Sequence, residues 1–253
     1  MSKPSVSHRT KWILLRGLMR DKRHWHDFAV MLQAQVMAHD IDIMALDSRG
    51  NGVFSSDKSP LSITEYAGAL LEQIEEGDNC IIGLSMGGMI AIEMARLSPK
   101  KVSKVVIINT SAANLSPWYR RFSIYAVIDA YRTRNRDNGV DWSEATALKL
   151  SSEHLGTSPA MAKKWSKLRQ QNRVRLHNAV RQLCACAYFK CCDRLQQPIF
   201  VFSGVLDKLV SPECSQSIAE HYRCQLVEFD NAGHDISLDN PAALIAQLKK
   251  ALL

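Results

Sequence analysis

A serine held between two glycines, at the point where an apolar run meets a helix-forming segment, constrains this chain more than any other feature. In Ile81-Ile82-Gly83-Leu84-Ser85-Met86-Gly87-Gly88-Met89, residues 79–84 read as a buried strand and 86–97 as a helix, so Ser85 falls on the junction. A strand running straight into a helix forces that junction residue through a sharp, strained turn, and the flanking glycines leave room for neighbouring backbone. The hydroxyl then stands clear at the carboxyl edge of a sheet. Such a turn belongs to parallel strands joined by helices.

The remaining sequence supplies that alternation. Residues 12–15 read as a short strand, followed by Arg16-Gly17-Leu18-Met19 and an amphipathic stretch at about 24–38. A second strand at 41–46 ends in Asp47-Ser48-Arg49-Gly50-Asn51-Gly52, whose residues tolerate positive φ. Ser62-Ile63-Thr64-Glu65 is a capping box that opens a helix to about residue 76. After the elbow, 104–109 is a strand of β-branched residues; the alternation then breaks beyond Thr110 and resumes with a strand at 198–202. A helix at 212–222, a strand at 225–229, the loop Asp230-Asn231-Ala232-Gly233-His234-Asp235 and a closing helix from 241 complete the chain. The expected fold class is α/β, a mostly parallel, doubly covered sheet formed by 1–111 and 193–253, with a helical segment inserted at 112–192. Within the insertion Trp165, Leu168, Leu176, Ala179 and Leu183 fall on one helical stripe, expected to bury against the sheet, while Lys164, Lys167, Arg169, Arg173 and Arg175 fall elsewhere, expected to face outward.

A serine hydroxyl becomes a competent nucleophile when a base removes its proton, and histidine suits that task near neutral pH. Among eight histidines His234 is the candidate, because it follows a strand and Ala232-Gly233 in a loop of the carboxyl edge. The acid that orients it should follow a strand and precede it in the chain. Asp207, after the strand at 198–202, meets both conditions. Asp230 and Asp235 compete, although they lie too near His234 in sequence to arrive from a neighbouring strand. An oxyanion would need backbone donors, and these are expected from the N–H of Met86, at the start of a helix, and of Leu18, made accessible by Gly17.

Residues 12–19, the turn 47–52, Gly83 to Gly87, Asp207 and His234 occur in the order and spacing of the α/β-hydrolase superfamily, which the chain resembles over nearly its whole length. The resemblance implies a serine hydrolase working through an acyl-enzyme, with the inserted helices as a cap. Two departures stand out: Arg16-Gly17 replaces the His-Gly of most members, and Phe54 occupies a position usually held by serine. Members that look like haloalkane dehalogenases or epoxide hydrolases carry aspartate at the elbow, so Ser85 speaks against those reactions. Ester, thioester and some amide or carbon–carbon bond hydrolases share the constellation, which names a mechanism and not a substrate.

Charge narrows the partners. Residues 115–194 hold 15 Lys and Arg against 6 Asp and Glu, a net +9 that leaves −2 for the remainder of a chain carrying +7. Positive potential at a substrate entrance attracts anions in a salt-dependent way. Nucleic acid is one such anion, but a triad has no use for it. In size and layout the chain is similar to the biotin-pathway esterases that act on pimeloyl-acyl carrier protein methyl ester, which implies an acidic acyl carrier protein as partner. The basic candidates are Arg120, Arg121, Arg132, Arg134, Arg136, Lys164, Lys167, Arg169, Arg173 and Arg175. Two other readings stay open: a general short-chain carboxylesterase without a protein partner, and a non-catalytic small-molecule receptor.

The remaining composition sets bounds. Seven cysteines, four of them in Cys184-Ala185-Cys186-Ala187-Tyr188-Phe189-Lys190-Cys191-Cys192, match no C-x-x-C spacing, so neither a metal nor another cofactor is expected, and free thiols in a reducing compartment are. Residues 1–10 lack the apolar core of a leader, and no run approaches the roughly 20 apolar residues a bilayer span needs. The expected location is cytoplasmic, away from membranes.

Overall fold

The computed structural model describes residues 9–253. Most of the N-terminal stretch read above as leaderless therefore lies outside the described residues. Six strands, β1 (Thr10–Leu15), β2 (Ile41–Leu46), β3 (Asn79–Leu84), β4 (Lys104–Ile108), β5 (Ile199–Gly204) and β6 (Leu226–Phe229), form one sheet in the order β2-β1-β3-β4-β5-β6. Every pairing is parallel. β3, in the middle, is buried along its whole length, which is why its sequence is a continuous apolar run and not an alternation.

Helices cover both faces. α1 (Phe28–Val36) packs on one face, while α2 (Ile63–Leu71) and α3 (Met86–Leu97) pack on the other. Between β4 and β5 come five helices: α4 (Trp118–Arg121), α5 (Ile124–Thr133), α6 (Trp142–Ser151), α7 (Pro159–Gln171) and α8 (Leu176–Tyr188). α9 (Pro212–Tyr222), α10 (Ile236–Asp239) and α11 (Pro241–Leu252) follow, with α9 joining the face of α2 and α3 and α11 that of α1. Pro159, Pro212 and Pro241 each open their helix at a position where a missing N–H costs nothing. Among the described residues no helix is long and apolar enough to cross a membrane.

Three expectations are corrected. The helix opened by the Ser62/Glu65 capping box stops at Leu71 and does not reach 76, because the Lys101 ammonium takes the carbonyls of Leu71 and Ile74 at 2.8 and 2.9 Å. The stretch 24–38 is not one helix either: a short 3-10 turn, Lys22–Trp25, is separated from α1 by His26 at a φ of 48°.

The third correction concerns the apolar stripe of the insertion. Trp165, on α7, is fully buried, but the chain breaks at Asn172 and restarts at Leu176 in a different phase. Leu176 is 82% exposed, Val180 51% and Leu183 38%, while Asn178, Gln182 and Ala185 face inward. The physical cause lies beneath α8, where residues 57–59 present backbone groups that need polar partners. Asn178 accepts from Ser59 N–H and donates to the Asp57 carbonyl, both at 2.8 Å, and Arg181 donates to the Ser59 carbonyl.

Candidate active site

The elbow forms as the glycine pattern requires. Ser85 sits at φ 57° and ψ −117°, off the ordinary map for an L-residue, with α3 beginning at the next position. A Cβ on Gly83 would run into the Gly87 carbonyl, and one on Gly87 into the carbonyl of Leu15, so both glycines are demanded by close backbone approach. The strained residue is held by the Ser85 N–H donating to the Ile108 carbonyl at 2.7 Å and by the Thr110 hydroxyl donating to the Ser85 carbonyl at 3.1 Å. Its side chain is half-buried.

His234 and Asp207 come together from the loops after β6 and β5. Their Nδ1 and Oδ2 atoms are 2.6 Å apart, with both side chains buried. The other carboxylate oxygen of Asp207 accepts from the N–H groups of Leu209 and Val210 at 2.9 and 3.0 Å, which locks the carboxylate plane. The two competitors lie elsewhere: Asp230 is exposed, and Asp235 pairs with Arg16. Among the described residues no hydrogen bond joins the Ser85 hydroxyl to His234; the connection runs through the end of β4. Ile108 and Thr110 grip Ser85, while the intervening Asn109 donates to the carbonyls of His234 at 2.7 Å and Gly233 at 3.2 Å and accepts from Gly204 N–H at 2.8 Å. Asn109 has a φ of 51°. Sequence reading did not single it out, although an asparagine closing a strand is a residue type that tolerates this conformation.

The loop after β1, expected to supply an oxyanion donor, packs directly on Ser85. A Cβ on Gly17 would stand 3.0 Å from the Cβ of Ser85, which places Leu18 beside it. Among the described residues neither the Leu18 nor the Met86 N–H donates to a protein acceptor. Arg16, which replaces the usual histidine, is engaged by other side chains of this protein. Its guanidinium donates to Asp235 Oδ2 at 2.6 Å and lies over the Trp25 ring, 4.8 Å from the centroid, with 3% of the side chain exposed. Burial would push the Asp235 carboxyl up, but the Arg16 charge and the Ser237 hydroxyl outweigh it and hold the group below the usual carboxylate range.

The ten cationic candidates divide. Arg120 pairs with Glu213 at 2.7 Å, Arg121 donates to the carbonyls of Cys186 and Ala187, and Arg169 lies between Asp141 and Glu144. Arg134 covers the Tyr131 ring, and Arg136 donates to the Arg132 carbonyl. The outward placing of Arg169 is therefore corrected: it is half-buried and ties α7 to α6, while Arg121, also half-buried, ties α4 to α8. Arg132, Lys164, Lys167, Arg173 and Arg175 are exposed and, among the described residues, have no carboxylate partner. The cysteines are free; burial pushes the Cys186 and Cys191 thiols up to about 12, which makes them unreactive. Among the described residues no three His, Cys, Asp or Glu side chains are grouped to hold a metal.

With a serine elbow, a His–Asp pair and an amide-lined loop at one sheet edge, comparison with known proteins decides the family. A model of the alpha/beta hydrolase family matches residues 12–248. The chain belongs to that family. Homoserine O-acetyltransferase of Thermus thermophilus is 35% identical over 83 residues, 32% of this chain, and the match spans only 22% of that relative's length. A pimeloyl-[acyl-carrier protein] methyl ester esterase of Aromatoleum aromaticum is 23% identical over 190 residues, 71% of this chain and 76% of that one. The enol-lactonase structure from Burkholderia xenovorans superposes with a TM-score of 0.71 at 18% identity, covering 98% of this chain and 93% of the other, a likeness of fold. This α/β hydrolase thus has ester hydrolases among its relatives.

Proposed function

We propose that the protein is a carboxylic ester hydrolase with Ser85 as nucleophile, His234 as base and Asp207 as its orienting acid. The observation that supports it best is the 2.6 Å contact between the buried Asp207 Oδ2 and His234 Nδ1, beside which stands the strained backbone of Ser85 at the end of β3, at a φ of 57°. In this reading the Asp207 carboxylate accepts a hydrogen bond from His234 Nδ1–H, leaving Nε2 free to remove the proton from Ser85 Oγ as that oxygen attacks the ester carbonyl. The carbonyl π pair moves onto oxygen, where the amides of Leu18 and Met86 receive it. Collapse expels the alcohol, which takes the proton from His234; water then repeats the sequence on the acyl-enzyme. Residues 112–192 act as the cap over this site.

The finer reading is a carrier-linked methyl ester substrate. Similarity to the Aromatoleum esterase supports it, together with the exposed, unpaired cations Lys164, Lys167, Arg173 and Arg175. A general esterase without protein partner is favoured instead by the internal engagement of Arg120, Arg121 and Arg169. Turnover of a p-nitrophenyl ester by wild type and Ser85→Ala tests the chemistry. Loss of activity together with loss of phosphonofluoridate labelling is expected, and an active alanine variant would remove Ser85 from the mechanism and leave only the receptor reading or another nucleophile.

A further inference from the structure

Gln182 lies in the middle of α8, fully buried, and its amide is used at both ends. Oε1 accepts from the Met19 N–H at 2.7 Å, while Nε2 donates to Asn51 Oδ1 at 3.0 Å and to Ser59 Oγ at 3.3 Å. Met19 has a φ of 56°, a conformation an unbranched non-glycine residue adopts only when its surroundings impose it. The adjoining amide is that of Leu18. It is fixed from one side by the packing of Gly17 on Ser85, and from the other by the bond between Met19 and Gln182. A helix of the insertion therefore reaches across more than 160 residues of sequence to the loop beside the nucleophile.

We propose that Gln182 is a positioning residue: it holds Met19 in its left-handed conformation and so aims the Leu18 N–H at the oxyanion, making the oxyanion hole dependent on how the cap is seated. The proposal rests on the reading of Ser85 as an acyl-forming nucleophile. Its specific content is that a side chain touching no substrate controls stabilisation of the transition state and not substrate affinity.

Four proteins test it: wild type, Gln182→Leu, which keeps the volume and loses all three hydrogen bonds, Gln182→Glu, which keeps the acceptor for Met19, and Ser85→Ala. Gln182→Leu should lower kcat on a p-nitrophenyl ester by about tenfold or more with KM within about twofold, and weaken a trifluoromethyl ketone, which fills the oxyanion hole as a bound alkoxide, by the same factor. Gln182→Glu should recover part of both. Unchanged kcat, a fall in kcat without weaker ketone binding, or a glutamate variant no better than leucine would each overturn the proposal. Should Gln182→Leu fail to fold, Gln182→Asn, which withdraws the amide from Met19 by one methylene, is read by the same criteria. An active Ser85→Ala brings down the nucleophile and the positioning role together. An inactive Ser85→Ala beside a fully active Gln182→Leu overturns the positioning role alone.

Discussion

The Asn109 side chain donates to the backbone carbonyl of His234 at 2.7 Å, and its own carbonyl receives the Gly204 N–H at 2.8 Å. One amide thus ties the end of β4, next to Ser85, to the ends of the two strands that deliver Asp207 and His234. Replacing it by alanine leaves two buried carbonyls and one buried N–H without partners, at roughly 1–3 kcal/mol for a group so stranded. Asn109→Ala should therefore lower the unfolding free energy by about 3 kcal/mol or more and kcat by about tenfold or more, since His234 is no longer held to its position. Asn109→Gly separates the two effects, because glycine accepts the 51° φ without strain but restores no hydrogen bond. Equal kcat for glycine and wild type, measured on a soluble ester, would show that the bonds serve folding and not catalysis.

Arg16 and Asp235, the residue after His234, form a buried ion pair, 3% and 1% exposed. Arg16→Met strands a buried carboxylate and should destabilise the protein by about 3–5 kcal/mol, whereas Arg16→Met with Asp235→Asn removes both charges and should recover much of that loss. Urea unfolding of the two variants decides it. A double variant no more stable than the single would mean the arginine acts through its packing on Trp25 and not through charge.

How much of this was readable beforehand follows contact range. The elbow, the capping box and the strands at 41–46 and 79–84 were legible because residues a few positions apart specify them. His234 and Asp207 could be read as neighbours because each lies in the loop after a strand, and such loops share one edge of a parallel sheet. Gln182 carried no such signal. Its partners are Met19, Asn51 and Ser59, all more than 100 residues away, and on sequence alone it is a polar residue on an amphipathic helix. The α8 phase failed for the same reason: the apolar period of Leu176, Ala179 and Leu183 is real, but the loop backbone beneath requires Asn178 and Gln182 to face inward. Asn109 lay between these cases, with a residue type that hinted at positive φ and no indication of the carbonyls it would meet.

Acid should loosen the region where the insertion meets the first loop. Burial, and then the Lys164 charge, hold His26 down to about 4 from an ordinary 6.5, and burial likewise lowers His24. His26 Nε2 also accepts from Trp165 Nε1 at 2.8 Å, so a proton there would set donor against donor. His26 is neutral in the folded state where the unfolded chain binds a proton, so stability should fall as pH drops from about 6.5 towards about 4 and stop falling from this residue below that, with His24 adding a loss of the same sign. Equilibrium unfolding between pH 7 and 4 should show an excess loss on the order of 2 kcal/mol relative to His26→Gln. Parallel curves for the two proteins would assign the pH dependence to other groups.

Charge reversal distinguishes the two substrate readings. Lys164, Lys167, Arg173 and Arg175 are exposed and lack carboxylate partners among the described residues, so their replacement by glutamate leaves no internal bond broken. The fourfold variant should keep its melting temperature and its turnover of a small free ester. On an acyl-carrier-linked methyl ester it should lose kcat/KM by about tenfold or more at low ionic strength, and wild type should lose the same advantage as salt is raised. Arg121→Glu and Arg169→Glu should behave in the opposite way, lowering stability first, because their guanidinium groups already hold carbonyls and carboxylates of this chain. If the fourfold variant loses both substrates alike, the cations serve the fold or the general chemistry. If it loses neither, the substrate arrives without an acidic carrier, and the general esterase reading is the one that stands.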